Sequence, residues 1–484
     1  MTKNKIKIIE NIKNNDEIIS EPQRISEHIV SYYKNLFFST NLFLQDQSLV
    51  EEVIPELIDE TSNNLMTMIP SEDEVKNAVF NLNQKGAPGL DGFGACFFQT
   101  YWEIVKKDVY AAVLQFFQSG WLPSNYNSNT LILIPKNPNA YSIDQYRPIA
   151  LAIFKFKIIT KVLADRLSQI LPSIISKEQR GFIRSRNIKD CIALTSEAIN
   201  VLDKRCSGGN LALKIDVSKA FDTLSWEFLI KILKGFGFHQ TFCNWIIYIL
   251  HSSNISISIN GAQKGYFKCN RGVRQGDPLS PLLFCIAEEA LSRGISKLAE
   301  EGKVDLIKAS RNAHIPSHCF YADDLMVFCK GKFSSLEALK QLFTRYALYS
   351  GQVKNLNKSS IFAGGVSDAR LNQMVHLLGF SVGSLPFTYL GAPIFKWKPK
   401  KIYFQPLVDR VKLKLANWKA YLLSMAGRVQ LVKSVVQSML THSISIYSWH
   451  VSLLREINQE LYTEWRCAEE KIGNSCLEKG LYQL

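Results

Sequence analysis

Apolar side chains recur every three to four residues at Ile25, Ile29, Tyr32, Tyr33 and Leu36, the spacing that lines one face of a helix. A second helix is expected near Leu49 to Leu57, and the polar, locally acidic stretch 1–70 reads as a helical extension or linker leading into the main fold. Two amphipathic helices follow, Asp73 to Asn83 and Phe97 to Ser119, separated by Lys85-Gly86-Ala87-Pro88-Gly89-Leu90-Asp91-Gly92. So many Gly and Pro residues mark a shaped loop. TLILIP, Thr130 to Pro135, is a short apolar strand, and Tyr146-Arg147-Pro148-Ile149 leads into a helix rich in Ile, Val and Leu that ends near Leu171. Beyond it strands and helices alternate irregularly, with no fixed period and no repeat, which predicts an α+β fold rather than a doubly wound series.

Two segments carry acids in apolar surroundings. In Leu211-Ala-Leu-Lys-Ile-Asp216-Val the residues Leu211, Leu213, Ile215 and Val217 fall on one face of a strand, with Ala212, Lys214 and Asp216 on the other. Burying the apolar face aims Asp216 at a cleft, although surface strands carry single acids routinely. In His318-Cys-Phe-Tyr321-Ala322-Asp323-Asp324-Leu-Met-Val-Phe328 two apolar half-strands flank a pair of acids, the pattern of a tight β-hairpin. Adjacent carboxylates in such a setting repel each other and are costly to desolvate unless a cation neutralises them. Asp216, Asp323 and Asp324 together are oxygen donors with no zinc-type His/Cys set around them, the chemistry of Mg²⁺ or Mn²⁺. Two such ions about 3.5–4 Å apart can activate a 3′-hydroxyl and stabilise a leaving pyrophosphate, with no protein nucleophile required.

Charge narrows the partners. The 484 residues carry a formal net charge of +14 and a pI near 9.1, and a basic balance favours polyanions, nucleic acid first among them. With 46% hydrophobic and 21% charged residues, most of the chain is expected to fold, as two to four domains on the usual prior of roughly 100–200 residues each. Ten lysines and arginines against one acid, Asp409, lie between Phe395 and Lys433. Leu407, Val411, Leu415, Trp418 and Leu422 would line one helix there, and Leu431, Val432, Val435, Val436 and Met439 another, packed face to face with a basic exterior. The ten cysteines form no C-x-x-C pair, the amino terminus lacks a signal-peptide pattern, and no apolar run approaches the roughly 20 residues of a membrane span. An intracellular protein, nuclear or cytoplasmic, neither secreted nor membrane-bound, is expected.

Tyr321-Ala322-Asp323-Asp324 with its apolar flanks resembles the YADD box of reverse transcriptases. The surrounding motifs resemble, in order, those of plant LINE-type, non-LTR retrotransposons. KGAPGLDGF (85–93), LILIPK with QYRPIAL, QRGFIRSRNIKD (179–190) and KIDVSKAFDTLSW (214–226) are followed by RGVRQGDPLSP (271–281), SGQVKNLNKS (350–359), YLGAPIF (389–395) and LLSMAGRVQLVKSV (422–435). The resemblance runs from about residue 25 to about 455. It implies an RNA-directed DNA polymerase with a right-hand architecture: fingers with first palm elements over 71–200, a palm with an antiparallel sheet over 201–395, and a helical thumb over 396–455. A divergent tail would follow at 456–484. RNA template, DNA primer and dNTPs are the implied partners, and two Mg²⁺ or Mn²⁺ ions the implied cofactors.

By the same resemblance Asp216, Asp323 and Asp324 are the metal-binding catalytic acids, and Val217 offers a backbone carbonyl. Lys136 and Arg147 meet the incoming triphosphate, Phe221 is the steric gate against a ribose 2′-hydroxyl, and Gln275 and Gly276 lie near the nascent base pair. Lys358 is a possible proton donor to pyrophosphate. Tyr389, Leu390 and Gly391 look like the primer grip, and Lys412, Lys419 and Arg428 would follow the template-primer backbone. Ser185 stands where the family usually has Gly, Leu90 where Pro is common, and Trp397 where a small residue is usual. The endonuclease domain with which full-length relatives begin is not in this sequence and the ending leaves the family pattern, so autonomous retrotransposition is not expected. A catalytically silent nucleic-acid-binding remnant is the competing reading. A group II intron maturase, which needs a further region beyond the thumb, and an RNA-dependent RNA polymerase, which must admit the 2′-hydroxyl that Phe221 would exclude, fit less well.

Overall fold

The computed structural model describes residues 8–14, 17–38, 48–309, 314–417 and 424–459. Two sheets organise the chain, among helices, in the α+β class expected. In the five-stranded sheet the order is Ser381–Val382, Ser360–Gly364, Asn210–Ile215, Asp324–Lys330, His318–Tyr321. Its neighbours are antiparallel except at the 360–364/381–382 edge, which is parallel.

The central strand of this sheet is covered on both faces. Leu211, Leu213 and Ile215 enter the main core with Leu325, Val327 and Ile361. Ala212, which alternation assigned to the open face, is also fully buried, in a second cluster with Met326, Phe328, Phe362 and Tyr389. Helix Ile188–Asn200 and the hairpin Phe387–Tyr389/Ala392–Ile394 supply that cover, so the strand opens to a cleft only at its end, where Asp216 stands. Beneath the first face runs helix Ser280–Glu300, buried along most of its length.

The other sheet has the order Tyr146–Ala152, Ser128–Pro135, Asn254–Ile259, Ala262–Lys268, with 128–135 and 254–259 parallel. The 254–268 hairpin belongs by sequence to the stretch expected for the palm, yet it completes the sheet begun at residue 128. Helix Pro22–Phe38 packs on that hairpin through Val30, whose methyl would lie 2.8 Å from a Cβ placed on Gly265. Ile25, Ile29 and Tyr33 are at most 2% exposed, so this first helix is part of the body of the fold rather than a linker into it. The helix expected over 97–119 is broken at Tyr101 into Ala95–Thr100 and Trp102–Ser119.

Toward the carboxyl end, helix Lys401–Asn417 packs against the helical stretch 425–444 and a further helical stretch, 451–459. Val408, Val411, Leu415, Leu431, Val436, Leu453 and Ile457 share one apolar cluster, so the expected face-to-face packing is present and continues past residue 455. Trp418, Leu422 and residues 460–484 lie outside the described residues. Among the described residues no helix is long and apolar enough to cross a membrane.

One buried ion pair ties the first helices to the long helix Phe154–Ile174. Arg166, 2% exposed, grips Glu74 through Nε at 2.6 Å and Nη2 at 2.8 Å, and its Nη1 donates to the carbonyl of Met66 at 3.3 Å. Removing one side of such a pair leaves the other without its partner and the carbonyl unsatisfied. Arg166→Ala is expected to lower stability by about 3 kcal/mol, read as a shift of the urea midpoint at unchanged slope.

Candidate active site

Strand pairing brings the three acids together. Ile215 pairs with Leu325, so Asp216, one residue on, reaches the level of Asp324, which begins the neighbouring strand. Tyr321 pairs with Asp324, leaving Ala322 and Asp323 as a two-residue turn in which Ala322 has φ +53°. A left-handed alanine is strained and needs support. Gln179 provides it: its buried side-chain oxygen accepts from the backbone N–H of Ala322 at 3.0 Å and of Gly181 at 2.9 Å, and its amide nitrogen donates to the Ala322 carbonyl at 3.3 Å. The backbone of 179 and 180 joins the same edge, with Arg180 N–H donating to Phe320 O at 2.8 Å.

Asp216, Val217, Asp323 and Asp324 line one cleft of about 760 Å³. The same cleft is lined by Lys136, Arg147 and Lys358 and by Phe221, Gln275 and Gly276. Every acid, nucleotide-contact and gate residue expected from the sequence therefore meets at this cleft. Burial raises the Asp323 carboxyl, with Asp216 adding repulsion and Arg147 opposing it. Burial and then Asp323 push Asp324 up to about 6, against the pull of Lys214. In the same cleft burial lowers Lys136, and repulsion from Lys358 and Arg147 lowers it further. The site is thus an acid cluster and a cation cluster in one cleft, each electrostatically unsatisfied within itself. Among the described residues no three His, Cys, Asp or Glu side chains form a ready-made metal cage. Mg²⁺ seldom uses one, since it takes one or two carboxylates and completes its shell with waters and substrate phosphates. The all-oxygen donor set here fits that habit.

Backbone contacts fix part of this lining. Ala150 N–H donates to Gln275 O at 2.8 Å, and Gly276 has φ +113°, where a Cβ would meet Ala150 O at 2.8 Å. Only glycine lets that loop lie so close to the other sheet. Phe221 is half-buried and stacks on Phe284, ring centroids 4.1 Å apart at 12°. The Asp216 carbonyl accepts from Asn355 N–H at 2.7 Å, which ties the SGQVKNLNKS stretch to the loop after strand 210–215.

Other expected contacts are arranged differently. The Tyr389 side chain is 1% exposed and its hydroxyl lies 3.8 Å from the Cys319 sulfur, so it packs behind the acidic hairpin instead of facing a ligand. Leu390 and Gly391 form the turn beside it, at φ +48° and +81°, and His442 bonds the Leu390 carbonyl at 3.0 Å. Lys412 pairs with Glu456 at 2.8 Å; that bond, with help from Gln405 and Lys401, holds the Glu456 carboxyl down to about 2. Lys419 and the side chain of Arg428 lie outside the described residues.

Four cleft residues had no sequence signal of their own. Tyr32 and Tyr33 come from the first helix, Lys219 bonds the Tyr32 hydroxyl and sits over its ring at 4.4 Å, and Asp222 is fully enclosed. Burial raises Asp222 to about 7, opposed by Lys219, Lys136 and Gln275, whose amide lies 3.5 Å from it. Ser185 and Trp397, two of the three departures named from the motif pattern, both have left-handed backbones, φ +65° and +68°, a conformation that favours glycine.

Three outcomes are expected. Gly276→Ala should cost at least about 10²-fold in activity, because the added carbon displaces the loop that lines the cleft. Ser185→Gly should stabilise the fold by about 1 kcal/mol by relieving a strained φ, measured by thermal or urea unfolding. The raised Asp222 contributes stability that is complete below its ordinary value near 3.8 and is lost as pH rises through about 7. Asp222→Asn should therefore gain in Tm relative to the wild type as pH is raised from 4 to 8, and a constant difference would remove that assignment.

The profile of the family described as "Reverse transcriptase (RNA-dependent DNA polymerase)" matches residues 134–394. The "Transposon TX1 uncharacterized 149 kDa protein" of Xenopus laevis is 26% identical over 449 residues, 92% of this chain and 33% of that protein. A "Retrovirus-related Pol polyprotein from type-1 retrotransposable element R2" of Nasonia vitripennis is 27% identical over 224 residues, 46% of this chain and 21% of that one. An "Uncharacterized mitochondrial protein AtMg01250" of Arabidopsis thaliana is 44% identical over 66 residues, 14% of this chain and 54% of that one. The chain thus spans a third or less of the two longer relatives. With the profile covering Lys136, Arg147, the acidic hairpin and the turn at Leu390, more than half of the chain, the protein belongs to the reverse transcriptase family.

Proposed function

We propose that this chain is the RNA-directed DNA polymerase region of a LINE-type, non-LTR retrotransposon, adding dNTPs to the 3′ end of a primer copied against RNA. The observation that carries the reading is the meeting of Asp216, Asp323 and Asp324 with Lys136, Arg147 and Lys358 in one cleft. The similarity to transposon and R2 proteins supports the element class, and the Arabidopsis match supports its plant branch. Fingers over 71–200, palm over 201–395 and thumb over 396–455 are proposed as functional regions, and an intracellular site of action, nuclear or cytoplasmic, goes with them.

Two Mg²⁺ or Mn²⁺ ions would be held by the three carboxylates and the Val217 carbonyl, supplying Lewis-acid stabilisation of the attacking and leaving oxygens. The primer 3′ oxygen bonds the α-phosphorus of the dNTP as the bond to pyrophosphate breaks. Lys136, a point charge, and Arg147, a forked donor, hold the triphosphate in line. Lys358, on the lining of the cleft, passes a proton to the departing pyrophosphate in this reading, and Phe221 excludes a 2′-hydroxyl. Gln275 and Gly276 shape the pocket for the nascent pair, the turn at Tyr389, Leu390 and Gly391 supports the primer end, and the basic helices follow the duplex backbone.

Primer extension on poly(rA)·oligo(dT) with Mg²⁺ tests this directly. Asp323→Asn should reduce incorporation by about 10³-fold, since removing one charge from the cluster removes transition-state stabilisation. Equal incorporation by the two proteins would leave the silent remnant as the better description. Phe221→Ala should raise ribonucleotide use, and an unchanged dNTP/rNTP preference would end the role given to that ring.

A further inference from the structure

The stretch 350–359 runs alongside the loop that carries Phe221. Ser225 N–H donates to Ser350 O at 2.8 Å, Ser218 N–H to Val353 O at 2.9 Å, and Asn355 N–H to Asp216 O at 2.7 Å. Two side chains reach across this seam: Ser359 Oγ accepts from the Asp216 N–H at 3.2 Å, and Gln352, 2% exposed, donates from Nε2 to the Ala220 carbonyl at 3.1 Å. That carbonyl belongs to the peptide unit whose nitrogen is the amide of Phe221, so its direction sets where the Phe221 Cα begins.

Gln352 is itself held. Its Oε1 accepts from the Tyr346 hydroxyl, and the same hydroxyl lies 3.2 Å from Glu288 Oε1. Tyr346 and Glu288 are 2% and 1% exposed. The Tyr346 hydroxyl is thus the donor facing two acceptors, the Gln352 amide oxygen and the Glu288 carboxyl oxygen. Burial raises the Glu288 carboxyl to about 8, and the bond it accepts from Tyr346 opposes that rise. Glu288 stands one turn beyond Phe284 on helix Ser280–Glu300, and Phe284 is the ring on which Phe221 stacks. One helix thus grips Phe221 twice, at its ring through Phe284 and at its backbone through Glu288, Tyr346 and Gln352. A buried polar chain costs desolvation that apolar packing would avoid, and such a chain is kept where it fixes one geometry.

We infer that Gln352, oriented by Tyr346 and Glu288, is a positioning residue for Phe221 and sets how strictly the site prefers deoxynucleotides over ribonucleotides. The inference rests on the reading of Phe221 as the gate. A gate works by contact with a single hydroxyl, so a backbone free to shift by a few tenths of an ångström admits the larger sugar without dismantling the site.

Single-nucleotide incorporation by the full chain, with matched dNTP and rNTP, gives the test. Gln352→Met keeps the volume and removes the amide, and Tyr346→Phe keeps the ring and removes the hydroxyl. Each should lower the dNTP/rNTP ratio of kcat/KM by about 5- to 10-fold, the scale of one buried hydrogen bond, with dNTP kcat falling by less than the ratio. Phe221→Ala should lower the ratio further, and Gln352→Met added to it should change nothing more. Parallel loss of both nucleotides would mean a general structural role and overturn the inference, as would an unchanged ratio in both variants beside a relaxed Phe221→Ala. A Phe221→Ala protein that discriminates like the wild type would instead remove the gate itself, and the inference with it.

Discussion

Mutual repulsion among carboxylates that the fold holds half out of water is the constraint on which the rest depends. Asp323 and Asp324 are raised by burial and by their acidic neighbours, against the smaller relief given by a backbone hydrogen bond at Asp323 and by Arg147 and Lys214. A fold keeps such a cluster only if its backbone is held by other means. Here those means are local: a glutamine side chain under a left-handed alanine, strand register that sets Asp216 level with Asp324, and a second strip of chain bonded along the loop from 216 to 225.

The cation cluster has the same logic with the sign reversed. Burial lowers the basicity of Lys136, and its neighbours Lys358 and Arg147 lower it further, so added negative charge at that point of the cleft would bring relief. Binding energy available at both clusters is energy that can be directed to alignment of the reacting atoms. Pre-organisation of this kind is consistent with a reaction that asks the protein for position and charge rather than for covalent participation.

The acids were legible because alternation along Leu211 to Asp216 and the apolar flanks of the 323–324 pair are short-range patterns. Lys136, Arg147 and Phe221, which line the same cleft, came with ordered motifs. What escaped were partners whose meaning is purely tertiary. Gln179 is one polar residue in a polar motif until the hairpin lies over it, and Tyr32 reads as one more apolar position on an amphipathic helix. The face of strand 210–215 that alternation left open is closed by a helix and a hairpin from both sides in sequence, which no periodicity could announce. Lys412 looked like part of a basic exterior because its partner, Glu456, lies 44 residues away.

The two sheets are threaded through one another along the chain. Strands at 128–152 wait for 254–268 to finish their sheet, while 210–215, which falls between them in sequence, waits for 318–330. Closing either sheet therefore spans a strand of the other, and both carry the loop-closure entropy of long connections. Such interleaving makes the lobes one cooperative unfolding unit: a lesion in either should melt the pair, and neither should survive excision as an autonomous fragment.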